Sequence, residues 1–286
     1  MTEACADILR EAADLNRQDT RRDGNTVVLG GGVEVVVAGD LHGHRRNLER
    51  ILAYADLANR PHRRLILQEI IHGPPDRQSG HDLSIEVLRR AAQAKLAHPR
   101  QVLFLLGNHD VAQATGREIT KAGHGVCRAF VEGVRHAVGR EGALETLEAL
   151  DAFLLSMPIA ARTPGDVLIC HTLPTPQRMH LAGEDVPDGP YDESTLCRGG
   201  SVYEWTWGRN QTPEQVDRLA ERLGVTFFVL GHRHIRSGYE LIGRRAIILT
   251  AEHDRGCVLC LPSDAPLTAA DVPGCLRPIA HLGKQA

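Results

Sequence analysis

Five apolar runs punctuate the chain, and each ends in polar residues: VEVVVAGD, RRLILQE, QVLFLLGNHD, DVLICHTLP and VTFFVLGHRHI. Unbroken stretches of Val, Ile, Leu and Phe predict strands buried on both faces. Between them the period changes. Leu48, Ile51, Leu52 and Ala55 recur at helical spacing, as do Ile85, Leu88, Ala92 and Leu96, and later Val216, Leu219, Ala220 and Leu223. Strands that alternate with amphipathic helices predict an α/β fold with parallel pairing.

The polar first segment predicts another amphipathic helix, and AIILTAE and GCVLCL predict closing strands. From Thr115 to about Ser156 the spacing reads as helix, with Val126, Phe130 and Val134 on one face and Leu144, Leu147 and Leu150 on another, broken at Gly139 to Gly142. Residues 177–209, rich in Gly, Pro and Asp, predict a long ordered loop. Both segments are expected to cap or cover one domain spanning 1–286.

With 42% hydrophobic and 24% charged residues the chain can bury a large core. A formal charge of -3 gives no sign of a nucleic-acid-coating face. The acidic start lacks the basic-then-apolar order of a signal peptide, and no apolar run reaches membrane-spanning length, so a cytoplasmic protein is expected. Seven cysteines at irregular spacing do not read as a disulfide framework, and the lone Cys257-x-x-Cys260 reads as strand packing.

The chemistry sits where the runs end. AGDLHGH, LGNHD, CHTLP and LGHRH follow four of the strands, and in an α/β sheet ligands collect at the carboxyl ends. Asp40, His42, Asn108, His171, His232 and His234 offer carboxylate, amide and imidazole donors, a mixed set suited to Mn, Fe or Zn rather than Ca. Gly39, Gly107 and Gly231 precede three of the clusters, as sharp turns aiming side chains over the strand ends would require.

The ordered blocks GDLHGH, GNHD, a lone His171 after a strand, and GHRH resemble the calcineurin-like metallophosphoesterase superfamily. GDLHG and the HGP at Gly73 resemble its phosphoprotein-phosphatase branch, of bacterial type, while the paired histidines of GHRH resemble the wider group. The resemblance runs from about Val33 to Glu252. It implies a four-layer α-β-β-α sandwich of two mixed sheets holding two divalent metal ions. Asp40, His42 and His234 would hold one metal, and Asn108, His171 and His232 the other. His109 would be catalytic with Asp110 orienting it, and Arg209 in WTWGRN would bind the substrate phosphate. The implied reaction is hydrolysis of a phosphate monoester, on a small molecule or a phosphoprotein, by a metal-bound hydroxide. Diesters, nucleotides or dinucleoside polyphosphates are the alternative substrates, and a degenerate module that binds phosphorylated partners is the alternative of another class.

One block departs from the family. In LQEIIHG, a gapless alignment puts Gln68 where the bridging aspartate belongs, Ile71 at the next aspartate and His72 at an arginine that contacts substrate. Gln68 offers only a neutral oxygen, which predicts a weakened second metal. Glu69 has the charge, but neighbouring residues of a regular strand face opposite ways. A bulge or an early strand end would turn Glu69 inward.

Overall fold

Val35 and Val37 on one side of the strand Glu34–Asp40, and Val36 and Ala38 on the other, are all fully buried. A strand apolar on both faces has to be covered twice. In the computed structural model, which describes residues 4–121 and 123–283, Val35 and Val37 share a core with Ile169, Phe227, Val229 and Ile247 of a second sheet. Val36 and Ala38 share another with Leu48, Ile51, Leu88 and Phe153 of the helices. The result is the expected α/β sandwich of two mixed sheets between helical layers.

The smaller sheet runs, in spatial order, Leu276–Pro278, Cys257–Pro262, Glu34–Asp40, Arg63–Gln68, Val102–Leu105. The larger runs Arg22–Asp23, Thr26–Val28, Ala160–Arg162, Val167–Cys170, Phe227–Leu230, Ala246–Leu249, Tyr239–Ile242. Within each sheet the three strands that carry the polar clusters or flank them are mutually parallel, so their carboxyl ends lie along one edge. The two edges touch at a parallel bridge between Asp40 and Thr250, where Ala251 N–H donates to Asp40 O at 2.9 Å. A Cβ on Gly39 would lie 2.0 Å from Leu249 O, so only glycine lets the sheets meet there.

The helical periods are realised at Arg45–Ala55, Ser84–Ala97 and Pro213–Leu223, and the first segment forms Cys5–Arg17. Cys257 and Cys260 are buried in a strand, and the seven cysteines are free thiols. Among the described residues no helix is long and apolar enough to cross a membrane.

Two expectations need correction. The helix after Thr115 starts only at Val126 and runs to Leu154, with the expected break at Gly139 (φ 79°). Before it, a short hairpin pairs Thr120–Lys121 with His124–Gly125. Leu144, assigned to an apolar face, is 69% exposed, because six residues leave it about 120° around the helix from the buried Leu150. Residues 177–209 contain the short helices Met179–Ala182, Glu193–Leu196 and Ser201–Trp207 rather than only loop. Each is too short to display a hydrophobic period.

Candidate metal centre

The strand Arg63–Gln68 stops one residue before Glu69, whose φ of 37° is left-handed. That reversal turns the Glu69 side chain back toward the site, so Gln68 and Glu69 both reach His171 from opposite edges of its ring. Gln68 Oε1 lies 3.4 Å from His171 Nδ1, and Glu69 Oε1 lies 3.4 Å from His171 Nε2. Glu69 Oε2 faces the other way, 3.5 Å from His42 Nε2. One carboxylate thus presents an oxygen to each half of the site. Of the two routes expected, the early strand end is the one taken, and the register shift lies on the neighbouring strand, between Val37 and Asp40.

Hydrogen bonds hold the strained backbone in place. Glu69 O accepts from both Leu41 N–H and His42 N–H, and Ile70 O accepts from Gly43 N–H. Glu69 Oε1 also accepts His109 N–H at 2.6 Å. His42, Glu69, His72 and His232 all have positive φ, a strain that side-chain-bearing residues carry mostly where function over-determines the backbone. The glycines before the clusters have another reason. Gly107 has an ordinary φ of -112°, but a Cβ there would lie 2.4 Å from Glu69 Cγ. At Gly231 a Cβ would lie 2.4 Å from Asp40 Oδ1. They make room; they do not turn the chain.

The donors suit cations in two adjoining groups. His42 Nδ1 donates to Ile71 O at 3.0 Å, which leaves Nε2, facing Glu69, as the ligand nitrogen. Asp40, Glu69 and His171 bring ligand atoms within 4.8 Å of one another, and so do His42, Glu69 and His109. Asp40 Oδ1 is fixed by His232 N–H at 3.0 Å. On the other side Asn108 Oδ1, His171 Nε2 and His232 Nδ1 form a triangle with edges of 2.7, 3.1 and 3.1 Å. Cis ligands about 2.1 Å from one ion stand about 3 Å apart. Burial, with added repulsion from nearby imidazoles and Arg209, holds His171 and His232 well below the ordinary histidine pKa. Neutral imidazoles with converging lone pairs are what a divalent cation needs.

Not every anticipated residue joins. Gln68 is buried under the centre, where its oxygen meets the nitrogen of His171 that faces away from the triangle, so Glu69 replaces it as the carboxylate between the two groups. His234 has a side chain 64% exposed, with its Nδ1 2.6 Å from Glu252 Oε1. Asp110 accepts Gly107 N–H at 2.9 Å and caps its own helix. His109 Nδ1 meets His72 Nδ1 at 2.8 Å. His72 is buried, its ring between His109 and Gln113. Arg209 is exposed and close enough for its charge to act on His171 and His232; its backbone N–H donates to Thr175 Oγ1. Trp205 is fully buried in the core.

Two site residues carried a sequence signal that went unused. Glu252 ends the apolar run AIILTAE and lines a cavity together with His42. Gln113 follows His109 by one helical turn.

A model of the calcineurin-like phosphoesterase family matches residues 33–236. The chain belongs to that family. As a calcineurin-like phosphoesterase it is a metal-dependent enzyme that hydrolyses phosphate esters. Among solved structures it is similar to a protein serine/threonine phosphatase from Saccharomyces cerevisiae with similarity to human phosphatase PP5, at 16% identity and a TM-score of 0.62, covering 90% of this chain and 82% of that one. It is also similar to a cold-active protein-tyrosine phosphatase of a psychrophile, Shewanella sp., at 16% identity and a TM-score of 0.56, covering 88% and 80%. At such identities these structures attest the shared phosphoesterase fold. No curated protein matches the chain in sequence.

Proposed function

We propose that this phosphoesterase is a phosphomonoesterase with two cation sites that share Glu69. The observation that carries the reading is the Glu69 carboxylate, one oxygen 3.4 Å from His171 and the other 3.5 Å from His42. A neutral Gln68 at that place would support only a weakened second site; a carboxylate supports two. Asp40, His42 and Glu69 would hold one ion, and Glu69, Asn108, His171 and His232 the other, with Mn, Fe or Zn suited to the mixed set. When bound, such cations supply Lewis-acid polarisation of the phosphoryl group and activation of water.

The remaining roles fall to the chain. Arg209 offers a cation beside His171 and His232 for free phosphate oxygens. A cavity of about 360 Å³ opens beside His42 and His72, walled by Pro74, Pro75, Val126 and Ala129. It suits one apolar or aryl substituent of an ester, whether on a small molecule or a phosphoprotein. An apolar pocket on the ester side and the charge of Arg209 on the phosphate side favour a monoester. His109 moves a proton at Nε2 during the reaction.

Full-length protein loaded with Mn, Fe or Zn, assayed on p-nitrophenyl phosphate and bis(p-nitrophenyl) phosphate, tests the reading. Expected are a kcat/KM at least about tenfold higher for the monoester and a loss of about 10²–10⁴ in kcat on His109→Ala. Faster diester hydrolysis would overturn the substrate class. Phosphate binding without turnover of either ester would instead make the chain a binding module.

A further inference from the structure

His109 and Gln113 stand one turn apart on the short helix Asn108–Ala114, and the ring of His72 bridges them. His72 Nε2 lies 3.0 Å from Gln113 Oε1 and His72 Nδ1 lies 2.8 Å from His109 Nδ1. All three side chains are buried, and Phe130 packs edge-on against the His72 ring at 5.4 Å. His72 reaches this position through a left-handed backbone (φ 64°) next to Gly73. A strained residue wedged between two polar partners is there for its ring nitrogens, not for filling space.

The direction of the chain follows from proton counting. An amide oxygen only accepts, so His72 must carry its proton on Nε2. A neutral imidazole has one proton, so His72 Nδ1 is an acceptor. His109 must therefore place its own proton on Nδ1, and its Nε2 keeps a lone pair. The His109 ring stands 4.6 Å from that of His42, and a ring nitrogen of His109 lies within 4.8 Å of ligand atoms of His42 and Glu69.

We propose that Gln113 and His72 are positioning residues that hold His109 as its Nδ1–H tautomer, so that Nε2 is the nitrogen that accepts the proton during phosphate-ester hydrolysis. The inference rests on the hydrolase reading for its chemistry but not for its geometry. In the step, Nε2 takes a proton from water as the new O–P bond forms, and returns it to the departing oxygen as the old P–O bond breaks. An acceptor oxygen at the end of the chain takes the His72 Nε2 proton and so fixes which nitrogen of each ring is protonated.

Long-range ¹⁵N–¹H spectra of the full-length, metal-free protein report the tautomer directly, with no dependence on turnover. Wild type and Gln113→Glu, which keeps the acceptor oxygen, should show His109 protonated at Nδ1 and bare at Nε2. Gln113→Leu should show mixed tautomers. In metal-loaded enzyme Gln113→Leu should lower kcat about tenfold or more with KM nearly unchanged, and Gln113→Glu should restore it to within about threefold of wild type. A wild-type His109 protonated at Nε2 overturns the proposal, as does a Gln113→Leu protein with unaltered tautomer and kcat. If Gln113→Leu does not fold, the wild-type and Gln113→Glu spectra decide alone. The expected tautomer in a protein that hydrolyses nothing would keep the positioning chain and overturn the hydrolase.

Discussion

Glu69 and Gln68 have side chains of the same length, and they differ at the site only in charge and in the backbone turn that separates them. Gln68 ends a regular strand and rests its oxygen against His171 Nδ1, which leaves His171 Nε2 to the triangle with Asn108 and His232. Glu69, after the reversal, supplies the negative charge. Glu69→Gln keeps the shape and removes the charge, so divalent-metal affinity should fall by more than about 100-fold. Gln68→Ala removes only a support and should cost about 10–100-fold, the usual range for an outer partner. Equilibrium dialysis with elemental analysis separates them; equal losses, or a larger loss at Gln68, would remove Glu69 from the bridging role. The sequence could pose this choice but not decide it, because a positive φ at a glutamate has no signature in residue type. The same blindness explains the glycines. They read as turn formers, yet the turns are carried by His42, Glu69, His72 and His232, while Gly107 and Gly231 leave room for carboxylates.

Elements bring these residues together by one rule, that polar side chains gather where parallel strands end. This much was legible from apolar runs that finish in Asp40, Asn108, His171 and His232. Illegible was how each run finishes. The strand Val102–Leu105 passes through Gly107 into the helix Asn108–Ala114, and Glu69 packs against the junction while accepting His109 N–H. Gly107 has φ -112° and ψ 176°, which alanine adopts freely. Gly107→Ala should therefore fold, but its methyl would displace Glu69 Cγ from a position 2.4 Å away. The expected result is a kcat loss of about 10²-fold, as for a misplacement near 1 Å, together with weaker metal binding. The thermal midpoint should fall by only a few degrees, in keeping with overpacking of about 1–3 kcal/mol. A variant with wild-type metal affinity would show that the junction does not set the carboxylate. The hairpin at Thr120–Gly125 and the three short helices between 177 and 209 escaped notice for a simpler reason, since elements of two to seven residues carry too few apolar positions to show a period.

For the molecule as a whole, the ends of the strands must be held as firmly as the ligands they carry, and Lys95 is part of that frame. It lies fully buried near the end of the helix Ser84–Ala97, and its Nζ donates to Pro99 O at 2.9 Å and Val102 O at 3.0 Å. It thus ties the helix to the strand that leads to Asn108. Burial, offset in part by Asp19, lowers its pKa from 10.5 to about 8. Below pH 8 both folded and unfolded chains hold the proton, and the folded state bears the cost of a buried charge. Between about pH 8 and 10.5 the unfolded chain keeps the proton and the folded chain releases it, so this residue makes stability rise with pH. Lys95→Met abolishes the titration while leaving other groups in place. Subtracting its urea-unfolding free energy from that of wild type should give a difference that moves in favour of wild type by on the order of 2 kcal/mol between pH 7 and 10. A flat difference would mean that Lys95 stays charged throughout and is matched by its two carbonyls and Asp19; a difference moving toward the methionine variant would reverse the assigned sign.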